Sequence, residues 1–251
     1  MSLPVLLVAG LFLPLFPFSM LFNVLYARVR HPVLRGVLLL VWPQIGLAII
    51  LMSSASIPPW LPVWALLTSL LYALRALALR ELGLWTSFIA TSAWALVWIV
   101  LSSGASMTQL QWVGLGISAP LLLMAFLVAG LEHRFGAAYL DLYGGLAQTI
   151  PRYTTVLVIV ILAIIASPLF PTFFAMLSII IKVFPVRPSM AIGVGVVWLL
   201  WSWAGARVLQ GLIIGPGHRD VVDLKQASLW LYLLLLAGLI VSGVYGLGGM
   251  L

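Results

Sequence analysis

Apolar residues along this chain come in long unbroken runs. Between short polar breaks they fill residues 3–26, 33–53, 60–79, 84–103, 109–131, 153–181, 189–210 and 227–248. A helix on the surface of a soluble protein shows one apolar stripe and one polar face. These runs are apolar all round. Most match the roughly 20 residues that an α-helix needs to cross the hydrocarbon of a bilayer. They lack the period-two alternation of a barrel strand. Lipid offers the backbone no outside hydrogen-bond partner, so spanning segments of this kind must be helical. The pattern therefore predicts an all-α polytopic membrane protein with about eight transmembrane helices.

Composition strengthens this reading. The 251 residues are 64% hydrophobic and 7% charged, with a mean hydropathy of +1.24. Soluble domains carry about 25% charged residues. Lipid is the expected surrounding. There is no cysteine, which excludes disulfides, iron–sulfur clusters and thiol chemistry. The net charge of +7 is dispersed, so no nucleic-acid partner is expected. The first run, Leu3 to Leu25, has no basic residue before it and no small-residue cleavage site. It reads as a retained span, not a signal peptide.

Charge then orders the breaks. Arg28, Arg30, His31 and Arg35 fall in the first; Arg75, Arg80 and Glu81 near the third. Arg134 and Arg152 fall in the fifth; Arg207, Arg219 and Lys225 in the last. The intervening breaks SSASIPPW and SSGASMTQ carry no charge, and the break at 182–188 carries Lys182 and Arg187. Alternate breaks thus hold 10 of the 12 basic residues. Lys and Arg collect on the cytoplasmic side, which predicts both termini outside the cytoplasm of a bacterial inner membrane. The prolines fit the same scheme. Pro58, Pro59, Pro151, Pro185 and Pro188 lie at span ends, and Pro43, Pro120, Pro168 and Pro171 lie inside spans. The pair Pro168 and Pro171 predicts a helix broken near its middle. Such a break either lines an ion site or is a kink satisfied by neighbouring helices.

Ionisable residues inside a membrane are costly and usually functional. None falls at a predicted span centre. All five acids and all three histidines lie in breaks. Arg75, Arg80, Glu81, Lys182 and Arg207 lie nearest to the spans and form the candidate ion-path or ion-pair set. Arg75 is expected to snorkel or to pair with Glu81. The residues at depth are neutral: Gln44, Thr68, Ser69, Thr91, Ser92, Ser118, Ser167 and Thr172. Hydrogen bonding between helices is their expected role. Trp60, Trp64, Trp98 and Trp112 are placed in interfacial belts. No phosphate loop, HExxH, dinucleotide fingerprint or catalytic triad occurs, and no metal or cofactor is predicted.

The stretch GLEHRFGAAYLDLYGGLAQTIPRYTTVLVIVILAIIASPLFPTFF adds a family resemblance. It resembles the middle of the antiporter-like subunits of respiratory complex I, membrane-bound hydrogenases and multisubunit sodium/proton antiporters. Gly130, Gly144-Gly145-Leu146-Ala147, Ile150-Pro151, Pro168, Pro171, Phe173 and Phe174 carry the match. Upstream, Arg80 and Trp85-Thr86-Ser87 align with a Lys and a Tyr-Ser-Ser element. Downstream, LLWSWAGARVLQGLIIGP ends in the matching Gly215-Pro216, and DLKQASLWLYLLLLAGLIVSGVYG resembles the span that follows. The resemblance covers about 60–248. It implies one antiporter-type repeat with its broken helix near Pro168-Pro171. Residues 59–251 form this antiporter-like half, with about six helices. Residues 1–58 supply two flanking helices, and the other repeat is absent.

The departures bear on function. The family's relay His falls at Ser118, its Lys at Leu122, and its acid after the broken helix at Ala175 or Met176. The resemblance therefore implies a membrane subunit of a proton- or ion-translocating redox or antiporter complex, with a structural or adaptor role. Its partners would be other membrane subunits and lipid. Glu132, His133, Arg134, Asp141 and Arg152 form a candidate docking loop for a cytoplasmic soluble subunit. Two alternatives are an active translocating subunit and the membrane anchor of a soluble enzyme, as in inorganic-carbon uptake systems.

Overall fold

The computed structural model describes residues 3–52, 57–140, 144–217 and 221–247. Asp141, in the candidate docking loop, lies outside them, as do His218, Arg219 and Asp220. Twelve helices are described: α1 Leu3–Phe12, α2 Ser19–Arg28, α3 Pro32–Met52, α4 Leu61–Ala78, α5 Leu82–Ala95 and α6 Val97–Ser102. They continue with α7 Met107–Phe135, α8 Leu146–Thr149, α9 Pro151–Ile164, α10 Pro171–Val183, α11 Pro188–Ile213 and α12 Gln226–Ser242. A π-helical turn, Gly243–Leu247, extends α12. Among the described residues the only β pairing is an isolated bridge between Glu81 and Tyr139.

Six helices are long and apolar enough to cross a bilayer: α3, α4, the run α5–α6, α7, α11 and α12 with its extension. The remaining apolar runs are each divided in two. The run predicted as one helix over 153–181 breaks into α9 and α10, as Pro168 and Pro171 required. The run predicted as one helix over 3–26 is also divided, into α1 and α2 around Leu13–Phe18. Pro14 and Pro17 explain this second break, because neither can donate to a helical ladder. Hydropathy does not register that loss.

Local chemistry sets the ends. Ser106 caps α7 by accepting from the Gln109 amide at 3.3 Å. Gly136 closes the same helix in a left-handed conformation at φ 78°. Pro151, Pro171 and Pro188 open α9, α10 and α11, where a missing N–H costs little. Pro43 and Pro120 are buried within α3 and α7.

The run α5–α6 is the hub, with 83% of its span buried. It packs against α2, α4 and α7. α3 lies along α7, α1 on α3, and α4 against α11. α12 stands at the periphery with 11% of its span buried, touching α7 and α9. The charged breaks gather at one end of the bundle. Residues 28–35, 79–82, 131–140, 144–153, 207–217 and 221–225 touch one another there, while 57–60, 103–109 and 182–190 lie at the other end. The alternation in sequence is thus a sidedness in space.

Candidate functional site

The charged end is built around Arg35 in the first turn of α3. Its side chain is almost fully buried, at 5% exposure, while Glu132 on α7 is at 32%. Arg35 Nη1 donates to both carboxylate oxygens of Glu132 at 3.0 and 3.2 Å, and Nε donates to the Val29 carbonyl at 2.6 Å. The guanidinium also lies 5.7 Å from the ring centre of Tyr26. Among the described residues the Tyr26 hydroxyl is buried without a hydrogen bond. Glu81, between α4 and α5, faces the same group. Burial raises its pKa above the ordinary carboxylate value; nearby Arg35 lowers it and Glu132 raises it again. The segment is fixed by backbone bonds from Leu82 to Ala138 and from Leu140 to Arg80, at 2.9 and 2.7 Å.

A second charged group lies alongside. Asp223 receives the amides of Arg152 and Tyr153 at 3.0 and 3.1 Å, which caps the start of α9 from 70 residues away. Its own loop adds the Leu224 amide at 2.6 Å. Arg134 donates to the carbonyls of Gly130 and Val222 at 3.0 and 3.1 Å and lies over the Tyr153 ring. The Tyr153 hydroxyl donates to the Leu127 carbonyl. Here the glycine pair has its use. A Cβ at Gly144 would come within 2.6 Å of the Ile214 carbonyl, and one at Gly145 within 2.5 Å of the Gly215 carbonyl. The two motifs that carry the family resemblance, Gly144-Gly145 and Gly215-Pro216, therefore meet backbone to backbone.

Among the described residues the buried polar groups of the bundle interior are neutral. Ser69 and Ser92 share a hydrogen bond of 3.0 Å, and Trp201 donates to Ser92 at 2.9 Å. Ser19 and Tyr72 share one of 2.8 Å. Asn23 donates to the Ser19 carbonyl at 3.0 Å and accepts from Thr91 at 3.3 Å. Ser118, at the position of the family's His, accepts from the Trp94 indole at 3.0 Å. Leu122, at the Lys position, belongs to an apolar groove. Ala175 and Met176, at the acid position, are fully buried among apolar side chains. Of the neutral residues singled out in the sequence, Thr68, Ser69, Thr91, Ser92, Ser118 and Thr172 all bond between segments. Gln44 differs: its amide nitrogen is buried and makes no hydrogen bond among the described residues.

The broken helices are sealed by neighbours. Trp42, Trp98 and Trp64 donate to the carbonyls of Leu11, Leu13 and Phe16 at 3.1, 2.9 and 2.9 Å. Thr68 accepts from the Phe16 amide at 3.1 Å. Trp198 donates to the Ile165 carbonyl at 3.2 Å in the second break. There Ala166 and Leu169 adopt φ of 60° and 83°, unusual for side-chain-bearing residues. Pro168 and Leu169 are exposed, so this break opens outward. Trp60, Trp64 and Trp112 are half-exposed, but the interfacial expectation is corrected for Trp98. That residue is fully buried because its indole completes a broken helix.

Of the predicted ion set, only Glu81 joins the charged cluster among the described residues. Glu81 and Glu132 converge on Arg35, which sequence reading used only for orientation. Arg75 is exposed, with its guanidinium 5.7 Å from the Phe88 ring centre. Arg80 is exposed. Arg207 reaches the Leu79 carbonyl at 3.5 Å. Lys182 lies at the opposite end and donates to Gln109, whose amide donates to Ser178 at 3.1 Å. Arg152 and His133 are exposed. No group of three or more metal-ligating side chains occurs among the described residues. Asp223 and Arg35 are the residues whose roles went unseen; both are joined to partners far away in sequence.

Fold and site together define a polytopic helical membrane protein with two divided spans, a charged end and an uncharged interior. No family profile matches the sequence, and no curated protein does. Solved structures do share the fold. A chain of respiratory complex I from Thermus thermophilus superposes with a TM-score of 0.85 at 20% identity, over 97% of this chain and 54% of that one. A chain of the membrane-bound sulfane sulfur reductase, an archaeal respiratory membrane complex, gives 0.81 at 20% identity over 94% and 51%. A chain of the Mrp complex from Dietzia sp. DQ12-45-1b gives 0.77 at 17% identity over 98% and 55%. The chain thus spans about half the length of the chains it matches. Its fold is that of subunits in these membrane complexes, as the sequence resemblance implied.

Proposed function

We propose that this chain is a subunit of an ion-translocating redox or antiporter complex, and that within it the chain is a scaffold or adaptor, not the conducting element. The observation that carries this reading is the uncharged interior. Ser118 is bonded to Trp94, Leu122 lines an apolar groove, and Ala175 and Met176 are packed in the core, at the positions where the resembled family places its relay. Proton relays in membrane pumps and transporters are built from chains of Asp, Glu and His. The described interior between Glu81 at one end and Lys182 at the other offers serine, threonine, asparagine, glutamine, tyrosine and tryptophan.

The charged end has two roles in this reading. Arg35, Glu81 and Glu132 lock α3, α5 and α7 into one register. The exposed His133 and Arg152 present a docking face to a partner subunit. The charged end faces the cytoplasm of a bacterial inner membrane, following the positive-inside rule.

Proton flux into liposomes tests the proposal. The purified chain is expected to conduct no faster than empty liposomes, while the native complex isolated with it conducts. Flux through the chain alone that disappears in Arg80→Ala or Lys182→Ala would overturn the scaffold reading and support the active-subunit alternative. Co-purification with a large soluble zinc protein and no ion-translocating subunit would favour the enzyme-anchor alternative instead.

A further inference from the structure

We propose that a groove between α7 and α12, with the basic mouth above it, is a binding site for one anionic phospholipid. The groove has a volume of about 550 Å³ and is lined by apolar side chains, Leu122, Leu123 and Phe126 from α7 and Leu231, Leu235 and Leu239 from α12. The mouth has a volume of about 460 Å³ and includes His133, Arg134, Asp223 and Lys225. Ser228 lines both, so the two spaces adjoin at the start of α12. Their chemistry changes in the order in which a phospholipid changes. An acyl chain would lie against leucine and phenylalanine within the bundle, and a headgroup would sit where the helices end.

Charge selects the headgroup. Arg134 and Lys225 have no carboxylate within ion-pair range among the described residues. Asp223 shares the mouth, but its carboxylate is turned to three backbone amides at the start of α9 and its own loop. Two cations, Arg134 and Lys225, against one carboxylate leave the mouth a cationic excess among the described residues. Basic pockets between transmembrane helices suit acidic lipid headgroups. A partner's apolar helix in the groove would leave these cations uncompensated, and a neutral lipid would not use them. α12 is the least buried long helix, so the groove opens sideways to the leaflet. A lipid enters without passing through water.

Native mass spectrometry of the full chain tests this with phosphatidylglycerol and phosphatidylcholine of identical acyl chains. The unsubstituted chain is expected to retain one phosphatidylglycerol with at least about tenfold preference. Lys225→Gln is expected to reduce that preference about fivefold, the weight of one cation near a membrane surface. Leu235→Trp fills the groove and is expected to lower retention of both lipids. A photocrosslinker in place of Leu231 should label phosphatidylglycerol in mixed vesicles, and this readout decides the matter if either variant misfolds. Equal retention of the two lipids, a preference that Lys225→Gln leaves undiminished, or crosslinking to a protein helix in native membranes would overturn the proposal.

Discussion

The charged end and the interior of this bundle solve the same problem, fixing helices against one another, with different chemistry. At the end, one buried guanidinium holds a carboxylate and a loop carbonyl, and a second carboxylate faces it. In the interior, hydroxyls, an amide and indoles pair with no formal charge. Water is close enough at the end to lower the cost of charge. Within the hydrocarbon a charge without a function is expensive. These buried polar groups fasten one segment to another without charge.

The largest expected effect breaks the charged side of that comparison. Glu132→Ala leaves Arg35 buried without its carboxylate. Removing one partner of a buried pair costs roughly 3 kcal/mol at the low end of the range, which fits because Glu132 is one-third exposed. Unfolding in detergent should show a clear loss of stability. The double variant Arg35→Leu with Glu132→Leu should recover most of it, since replacing both charges avoids the orphan. A double variant as weak as Glu132→Ala would mean that the pair contributes more than mutual neutralisation.

Next comes the interior where the backbone is interrupted. Trp98→Phe keeps an aromatic ring but removes the donor to the Leu13 carbonyl. A buried carbonyl left unsatisfied costs about 1–3 kcal/mol. The same unfolding measurement should place this variant between Glu132→Ala and any single hydroxyl deletion. An unchanged midpoint would show that the first break finds another donor, and that its three indoles are redundant. A smaller effect is expected at Ser118. A double-mutant cycle of Trp94→Phe with Ser118→Ala should give a coupling of about 0.6 kcal/mol, the average for hydrogen bonds between membrane helices. A coupling several times larger would make the interior as tightly fixed as the charged end and erase the contrast.

Much of this was legible in the sequence, and the exceptions share a cause. Apolar runs marked the spans, alternating charge marked the two ends, and Pro168 with Pro171 marked a break. Gly144-Gly145 and Gly215-Pro216 were legible as motifs, but their contact was not, because nothing local says that two glycine turns meet. The break at Leu13–Phe18 is marked by Pro14 and Pro17, which a hydropathy reading of an apolar run passes over. Its repair comes from Trp42, Trp64 and Trp98, which lie 31, 48 and 85 residues from the carbonyls they serve. Trp98 read as an interfacial anchor for the same reason: an indole N–H looks alike in sequence whether it meets headgroups or a broken helix. Arg35 read as a topology signal because its partner, Glu132, lies 97 residues on. Periodicity and local chemistry predict what a segment needs; the partner that supplies it is a property of the fold.

The smallest expected effect is a pH slope, and it sharpens the comparison because only the charged end can produce one. Burial favours the neutral form of Glu81, with Glu132 adding to the shift and Arg35 opposing it. Between the ordinary glutamate value and the raised one, the folded chain keeps a proton that the unfolded chain has released. The unfolded state then binds fewer protons, so stability falls as pH rises through that window and is greatest below it. Glu81→Gln cannot lose this proton and should flatten the difference, measured as the unfolding midpoint against pH between about 4 and 7. Arg35→Gln should move the window upward, because it removes the one neighbouring group that favours the ionised form. A Glu81→Gln profile parallel to that of the unsubstituted chain would mean that Glu81 is better solvated than its place beside Arg35 and Glu132 implies.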